Sequence, residues 1–426
     1  MGRLRLLYSS NAPWAASGYG VQGRSLLPRL AELPEFGSRE AISIFAWYGL
    51  QGGQFDVDGF KVFPAGVDAY GNDVIGAHTR QAQANIVITL IDVWVLQQTA
   101  ERIAPALWLP WLPIDHDPVP QRFLDALAGA YIPLTYSKWG QETLRKAGVA
   151  NHYIPHGIEP TVFRVAEDEG AVRAWRQETF PDVEHLTVMV AANKGFPDRK
   201  AFQVQMRAWA AFAKDKPGAK LYIHTEAGTR YGGVDLPALA RALGVEVGVI
   251  FPEPYAYYLG FPAEWLGMLY NAADVLLGAS MSEGFGIPLI EAQACGCPVV
   301  TTDASAMPEL VRWGMKVAPA DVVWTPMNSW QWWPDVRGIE EALGTLYAQW
   351  EQAGRRWPRS QRLRAQKAIH DEYSWDAIVR EHWAPLMAKL ANVAPEPVAG
   401  AATVRPVQQS NPQRSSSIVA VAPVEE

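Results

Sequence analysis

The chain has 426 residues, of which 49% are hydrophobic, and its formal net charge is −7. This length allows two domains with full hydrophobic cores, and the acidic balance excludes strong non-specific nucleic-acid binding, which needs a basic face. No apolar run approaches the roughly 20 residues of a membrane span, so we expect a cytoplasmic protein without a transmembrane segment.

Short apolar runs alternate with helix-like segments along the chain. Such alternation predicts parallel sheets, and the number of runs favours two doubly wound sheets in an α/β fold. The runs predicted to be buried strands are 4–10, 41–47, 84–91, 106–114, 131–137, 186–193, 220–226, 247–253, 274–280 and 297–303.

The first predicted strand is followed by the glycine-rich stretch ASGYGVQGRS, which contains Gly18-x-Gly20-x-x-Gly23. A dinucleotide-binding fingerprint places its first glycine directly after the strand and an acidic residue at the end of the second strand. Here residues 10–17 intervene, and Glu40 precedes the second strand. The pattern therefore favours a glycine-rich loop beside a ligand, or an ordinary flexible loop, over a dinucleotide site.

The signals for a metal are weak. Two Asp-x-Asp patterns occur, one ending at Asp58 and one centred on His116. The first precedes Gly59 and predicts a turn, and two carboxylates alone do not define a cation site, so we expect no metal.

His116 is open to two interpretations, as a structural histidine or as a functional residue. Cys295 and Cys297 are too few for a zinc site and are predicted to be reduced thiols.

Three cations follow the strand predicted at 186–193. Asp198 is predicted to cap the next helix, which would put Arg199 and Lys200 in its first turn. Cations there oppose the helix dipole, and an anion bound between them and Lys194 would remove that penalty. The cluster therefore indicates either a diphosphate site or a solvated group of charges.

The segment SEGFGIPLIEAQACGCPVV follows the strand predicted at 274–280. Gly284 and Gly286 predict a tight loop before a helix, and the N-terminus of that helix is an anion site. Glu283 lies in the loop, Glu291 is predicted in the first helical turn, and carboxylates accept hydrogen bonds from vicinal sugar hydroxyls. The segment therefore suits a phosphate between two sugars, although Glu291 by itself suits any helix start.

Tryptophan is abundant, with 18 residues in the chain. Four of them lie in the short segment 324–333. Aromatic rings present flat apolar faces on which sugar rings stack. The segment is therefore either an acceptor platform or a hydrophobic lid or core loop.

Taken together, these segments resemble the retaining family-4 (group 1) glycosyltransferases, which have the GT-B fold. The specific features are the spacing of the two glutamates within SEGFGIPLIEAQACGCPVV and the cluster of Lys194, Arg199 and Lys200. Weaker features are SGYG near the N-terminus, His116 in PIDHDPVP, the stretch IPHGIEPTVF and the terminal SWDAIVREHW. The resemblance covers roughly residues 3–390.

The resemblance implies a catalytic set. Glu283 would contact the donor hexose, and Lys194 and Lys200 would neutralise the diphosphate. The family more often has arginine where Lys194 stands, and lysine lacks the bidentate fork of arginine. His116 would lie near the anomeric carbon and the acceptor.

The resemblance also implies a donor-binding set. Glu291 would bind the ribose hydroxyls of the nucleotide. The backbone around Phe285 would touch the sugar and the phosphates, and the first glycine-rich stretch would approach the phosphates. The members of this set are Glu291, Arg199, Gly284, Phe285, Gly286, Gly18 and Gly20.

The GT-B fold implies two Rossmann-like, doubly wound parallel-sheet domains that face each other across a cleft. We expect an acceptor-side domain at 1–170 and a nucleotide-sugar-binding domain at 171–373. A helix at 374–392 would cross back to the first domain, and a disordered tail would occupy 393–426.

The implied reaction moves a hexose from a nucleotide diphosphate sugar to an acceptor hydroxyl with retention of configuration, without a cofactor or an essential metal. The expected donor is a UDP-, GDP- or ADP-sugar, and the acceptor stays open among glycan, protein, lipid, small molecule and modified nucleic acid. One alternative is a glycoside hydrolase, whose paired carboxylates need no cation cluster. Another is a non-catalytic sugar- or nucleotide-binding protein.

Overall fold

Residues 4–195 and 198–397, which the computed structural model describes, form two α/β domains that are each built on their own sheet. The strands of the first sheet are β1 (Leu6–Asn11), β2 (Ile42–Tyr48), β3 (Phe55–Val57), β4 (Phe60–Phe63), β5 (Ile86–Leu90), β6 (Leu107–Leu112), β7 (Leu134–Thr135) and β8 (His152–Tyr153). The strands of the second sheet are β9 (His185–Val190), β10 (Ala219–His224), β11 (Val249–Ile250), β12 (Val275–Leu277), β13 (Val299–Thr302) and β14 (Gly314–Val317). A separate hairpin consists of β15 (Asp321–Thr325) and β16 (Ser329–Trp333).

Helices connect most of these strands. In the first domain they are α1 (Gly18–Ala31), α2 (Ile75–Gln81), α3 (Thr99–Ile103), α4 (Gln121–Ala126) and α5 (Lys138–Lys146). In the second they are α6 (Glu169–Thr179), α7 (Phe202–Ala213), α8 (Leu236–Ala242), α9 (Pro254–Leu259), α10 (Ala263–Ala272), α11 (Ile287–Ala294), α12 (Val336–Gln352) and α13 (Arg359–Tyr373). The C-terminal segment contains α14 (Trp375–Ile378), a π-helical turn (Val379–Trp383) and α15 (Ala384–Val393).

Every apolar run that was predicted to be a strand contains one. All residues of β1 and β5 are buried, which explains why mainly apolar runs identify these central parallel strands. The sequence analysis missed β3, β4, β8, β14 and the hairpin, which are short or partly exposed. The turn predicted beside Gly59 is present at Asp58, which has a positive φ of 51°, but Asp56 belongs to β3.

Both sheets have the strand order of a doubly wound fold. The second sheet has the order β11-β10-β9-β12-β13-β14, and its order reverses between β9 and β12. The first sheet has the order β3-β4-β2-β1-β5-β6-β7-β8 and reverses between β1 and β5, with β3 added antiparallel at the edge. Ligands of open α/β sheets bind beyond the carboxyl ends of the strands at such reversals. The topology thus gives each domain one preferred binding edge.

The C-terminal segment packs on the first domain. The ring of Trp383 lies 5.1 Å from the ring of Trp111, edge to face. The backbone N–H of Trp375 donates a hydrogen bond of 3.2 Å to the carbonyl oxygen of Ile158. The segment that leaves the first domain at Ile158 and the segment that returns to it at Trp375 therefore run side by side. The domain boundaries stay predictions, and most of the predicted tail 393–426 lies outside the described residues.

Two expectations from composition concern cysteines and membranes. Cys295 and Cys297 are both buried free thiols, and burial raises the pKa of each. In the described part of the chain, none of the helices combines the length and the hydropathy that crossing a bilayer requires.

Candidate active site

The loops that follow the strands at the two reversals meet between the domains. Gly18 opens α1 after β1, and a Cβ built on it would lie 4.0 Å from Cδ1 of Ile287 in α11. Gly284 lies in the loop after β12, and a Cβ built on it would lie only 2.4 Å from Cβ of Pro113 in the first domain. Residues of both domains therefore line one cleft, and the second contact leaves no room for a side chain at position 284.

The glycine-rich stretch near the N-terminus forms a helix start, not the loop that the sequence predicted. α1 begins at Gly18, and the Ser17 hydroxyl caps it by accepting a hydrogen bond from Gly20 N at 3.1 Å. A Cβ on Gly20 would lie 2.6 Å from the carbonyl oxygen of Ala15, so the tight entry into the helix requires glycine there. The first turn of α1 contains no acidic residue, and a helix N-terminus of this kind favours an anion.

The loop before α11 turns sharply. Gly286 has a φ of 114°, a left-handed conformation that favours glycine, and no side chain caps the helix that follows. Because α11 begins only at Ile287, Glu291 is its fifth residue and lies in the second turn, not in the predicted first turn. Phe285 is buried, with its ring 5.4 Å from the ring of His156, so its side chain contributes to packing.

Glu283 is the centre of a partly buried ion-pair cluster. Its Oε1 accepts hydrogen bonds from Lys200 Nζ at 2.5 Å and from Ser280 Oγ at 2.7 Å, and its Oε2 accepts one from Arg199 at 3.1 Å. Burial alone would raise the pKa of this carboxyl, but Lys200 and Arg199 outweigh burial and lower it to about 2. Glu283 is therefore ionised near neutral pH and holds both cations in place.

The two cations of this cluster precede α7 and do not lie in its first turn as predicted. α7 begins at Phe202, and Ala201 has a positive φ of 52° that interrupts the helical path before it. Asp198 is buried at this helix start and accepts a long hydrogen bond from Gln203 N at 3.4 Å. The predicted conflict between the cations and the helix dipole therefore does not arise, because Glu283 balances their charge.

Asp115 and His116 form the first-domain side of the cluster. His116 is buried, and its Nδ1 lies 2.7 Å from Oδ1 of Asp115, whose Oδ2 is 3.7 Å from Arg199. Burial alone would raise the pKa of Asp115, but His116 and Arg199 lower it. In the neutral ring, donation from Nδ1 to Asp115 leaves Nε2 as the acceptor nitrogen. Across residues 4–195 and 198–397, no three His, Cys, Asp or Glu side chains are grouped as metal ligands.

The sequence analysis missed two further residues of the cleft, Asp92 and Tyr19. Asp92 follows β5, the second strand of the reversal in the first sheet. Burial and the nearby Asp115 raise its pKa, while Arg199 and the exposed Lys194 oppose that shift. Burial, together with the charge of Asp92, raises the pKa of Tyr19. A carboxylate directly beyond a predicted central strand was the signal that could have found Asp92.

Glu291 has a different environment from Glu283. It is buried on α11, and its Oε2 accepts a hydrogen bond at 3.0 Å from the hydroxyl of Tyr270 on α10. Burial raises the pKa of Glu291 to about 7, and the hydrogen bond from Tyr270 offsets only part of that rise. About half of these carboxyls are therefore ionised at pH 7.

Residues 186–325 match the family model described as Glycosyl transferases group 1. This range of the chain is similar to the group 1 glycosyltransferases. The matched range includes both glutamates and the cation cluster on which the sequence resemblance rested, and that resemblance is confirmed.

Curated glycosyltransferases align with the chain over part of their length. The D-inositol 3-phosphate glycosyltransferase of Rhodococcus erythropolis is 38% identical over 119 residues, which are 27% of this chain and 26% of that protein. The enzyme of the same name from Corynebacterium kroppenstedtii is 33% identical over 156 residues, or 36% of this chain and 33% of that protein. O-antigen chain mannosyltransferase B of Escherichia coli is 43% identical over 72 residues, or 16% of this chain and 19% of that protein. The chain therefore spans a third or less of the length of these relatives.

Solved structures of similar fold cover nearly the whole chain. Anabaena HepE in complex with UDP and glucose superposes with a TM-score of 0.65 at 16% identity, over 90% of this chain and 100% of that one. Sucrose-phosphate synthase of Thermosynechococcus elongatus superposes with a TM-score of 0.67 at 18% identity, over 92% of this chain and 98% of that one. The predicted GT-B fold, with two Rossmann-like domains across a cleft, is confirmed.

Proposed function

We propose that this group 1 glycosyltransferase moves a hexose from a nucleotide diphosphate sugar to an acceptor hydroxyl with retention of configuration. The observation that carries the proposal is the partly buried cluster in which Glu283 holds Lys200 and Arg199 at the cleft. Two helix starts without acidic residues, those of α1 and α11, face the same cleft. Fixed cations beside helix N-termini suit a diphosphate, which a glycoside hydrolase does not need to bind.

Each end of the donor has a matching group. Glu291, when ionised, accepts hydrogen bonds from the vicinal ribose hydroxyls, because a carboxylate is an acceptor on both oxygens. Lys200 and Lys194 neutralise the diphosphate, which lies against the start of α11. Glu283 contacts the hydroxyls of the hexose. The support for this arrangement is the spacing of the two glutamates on either side of the α11 start.

The transfer breaks the bond between the anomeric carbon and a diphosphate oxygen and forms a bond from that carbon to the acceptor oxygen on the same face. The acceptor proton passes to the departing diphosphate oxygen, so the step requires no covalent enzyme intermediate. Lys200 and the start of α11 stabilise the charge that grows on the diphosphate. His116, oriented by Asp115, lies on the acceptor side and positions the attacking hydroxyl.

Thermal unfolding with nucleotides tests the proposal. UDP and UDP-glucose come first, because HepE was solved with UDP, and GDP, ADP and their sugars follow, each with and without magnesium. A matching nucleotide at about 100-fold excess over its Kd should raise the free energy of unfolding by about 2–3 kcal/mol. The anomeric configuration of the product, read by NMR, tests retention. If no nucleotide stabilises the chain, the proposal fails and a hydrolase or a non-catalytic binder is favoured.

A further inference from the structure

A carboxylate of the second domain closes the start of α5 in the first domain. A helix start leaves its first backbone N–H groups without partners inside the helix. The third of these groups, Gly140 N, donates to Ser137 Oγ at 2.9 Å. Glu309 accepts from the other two, with Oε1 at 3.0 Å from Lys138 N and Oε2 at 3.1 Å from Trp139 N. Both oxygens of one second-domain carboxylate therefore bind first-domain backbone.

The first turn of α5 packs on the segment that leads to His116. A Cβ built on Gly140 would lie 3.1 Å from Cβ of Ile114, the residue directly before Asp115. Ile114 is buried, and the strands that precede the two segments, β6 and β7, are paired neighbours. Close-packed elements shift together because no free space separates them. The position of the α5 start therefore sets the position of Asp115 and His116.

In the second domain, Glu309 belongs to a short segment that also holds Glu283. Ser305 Oγ accepts a hydrogen bond of 3.0 Å from Glu283 N, and the Glu283 carbonyl oxygen accepts one of 3.4 Å from Ala306 N. Ser305 has a φ of 51°, a left-handed conformation that a non-glycine residue keeps only where its contacts fix it. Glu309 follows in a 3₁₀-helical turn (Met307–Leu310). One segment thus contacts the loop of Glu283 at one end and the α5 start at the other.

Several other contacts between the domains fall on a single loop of the first domain, residues 113–118. The pairs are Gly284 with Pro113, Ser282 with Asp115, and Trp330 with Asp117. Contacts confined to one loop leave two domains free to rotate about it. Glu309 binds a separate element of the first domain, and it therefore adds a second point that restricts this rotation.

We propose that Glu309 is a positioning residue that holds the His116 side of the cleft in register with the Glu283 cluster. The inference rests on the proposed function, because transfer needs the acceptor hydroxyl beside His116 to meet the hexose beside Glu283. A carboxylate that accepts from the N–H groups of a helix start forms charge-assisted hydrogen bonds and interacts favourably with the helix dipole. Because both of its oxygens bind, it fixes the direction of α5 as well as its distance.

Interdomain distances measured by double electron–electron resonance test this role. Spin labels go on Glu101→Cys in α3 and Glu341→Cys in α12, which are exposed positions on the first and second domains. Cys295 and Cys297 are buried, so the labels attach at the introduced thiols. Glu309→Ala should broaden the distance distribution of the labelled chain. Glu309→Gln keeps one acceptor oxygen and should broaden it less.

Kinetics separate positioning from donor binding. The probe is UDP-glucose, or the GDP- or ADP-sugar that stabilises the chain in its place, with kcat taken from nucleotide release and affinity from calorimetry. In Glu309→Ala, kcat should fall about tenfold or more, because a misplacement of about 1 Å can lower a rate by about 100-fold. Affinity should stay close to that of the unaltered chain, because the charged donor-binding residues belong to the second domain. Glu178→Ala, at an exposed position of α6, is the matched control and should change neither quantity.

The outcomes separate this inference from the proposed function. The role of Glu309 is overturned if Glu309→Ala does not broaden the distance distribution, or if the distribution broadens and kcat does not fall. It is also overturned if kcat falls only in proportion to a loss of folded protein, measured by circular dichroism. If Glu309→Ala does not fold, Glu309→Gln decides by the same readouts. If the distribution broadens while no nucleotide stabilises the unaltered chain, the role of Glu309 between the domains is supported and the transferase proposal fails.

Discussion

The pKa values of the two glutamates of the candidate site are shifted in opposite directions, although Glu291 is buried and Glu283 is largely buried. Glu283 faces Lys200 and Arg199, whose charges lower its pKa to about 2. Glu291 faces the neutral hydroxyl of Tyr270, and burial raises its pKa to about 7. The comparison shows that burial alone does not decide the charge of a carboxyl, because a cation within hydrogen-bonding distance reverses the effect of burial. One carboxylate is thus charged at neutral pH, and the other titrates in the neutral range.

The two shifts also have opposite consequences for folding. The lowered pKa of Glu283 stabilises the folded chain above its ordinary pKa of 4.5, and this stabilisation is lost as the pH falls toward 2. The raised pKa of Glu291 favours folding while the carboxyl is protonated, so its contribution declines as the pH rises from 4.5 to about 7. The first glutamate therefore weakens the fold in acid, and the second weakens it near neutrality.

Removing the cation beside Glu283 should produce the largest effect. Lys200→Ala removes one of the cations that stabilise the departing diphosphate, and we expect kcat to fall by about 100-fold or more, as for other lost transition-state donors. Initial rates of nucleotide release from the donor measure the change. Lys214→Ala, at the exposed end of α7, is the matched control and should keep the unaltered rate. If the rate of Lys200→Ala stays within threefold of the unaltered rate, Lys200 has no catalytic role in the transfer.

Neutralising the second glutamate should weaken donor binding. Glu291→Gln replaces a charged acceptor by an amide, and a hydrogen bond to a charged group contributes about 1.5–3 kcal/mol, so we expect affinity for the donor to fall at least about tenfold at pH 8. Calorimetry with the nucleotide sugar that stabilises the chain measures this affinity. Glu264 is exposed on α10, so Glu264→Gln serves as the control. Unchanged affinity would exclude Glu291 from the ribose site.

The affinity of the unaltered chain for the donor should depend on pH in the neutral range. Because binding needs the ionised form of Glu291, whose pKa is about 7, affinity should rise about tenfold from pH 6 to pH 8. Glu283, with a pKa of about 2, adds nothing in this range. A nucleotide sugar is the right probe, because the terminal phosphate of a free nucleotide diphosphate titrates near pH 6 itself. A flat profile, or one that persists in Glu291→Gln, would contradict the assignment.

Replacing Tyr270, the neutral hydrogen-bond partner of Glu291, should have the smallest effect on donor affinity. Tyr270→Phe removes the hydrogen bond that lowers the Glu291 pKa, so the midpoint of the pH profile should move upward, by about one unit. The affinity at pH 9 should stay close to that of the unaltered chain. A midpoint that stays in place or moves downward would show that Tyr270 does not control this carboxyl.

The sequence alone determined the fold class and the position of the main motifs. Central parallel strands are buried on both faces, so they occur as mainly apolar runs that can be found without a structure. The glycine-rich loop before α11 and the cations before α7 are also local features, because a few neighbouring residues specify each of them. The start of α7 was misjudged by one turn, since the left-handed backbone at Ala201 delays that helix.

Only the tertiary structure decided how these motifs act on one another. Glu283 and Lys200 are 83 residues apart in the chain, and their pairing follows from the arrangement of the second sheet. The position of Asp92 in the cleft and the docking of the hairpin on Asp117 likewise follow from the packing of the domains. Acidity depends on desolvation and on charges within a few ångströms, so the contrast between Glu283 and Glu291 cannot be calculated from residue types or spacing.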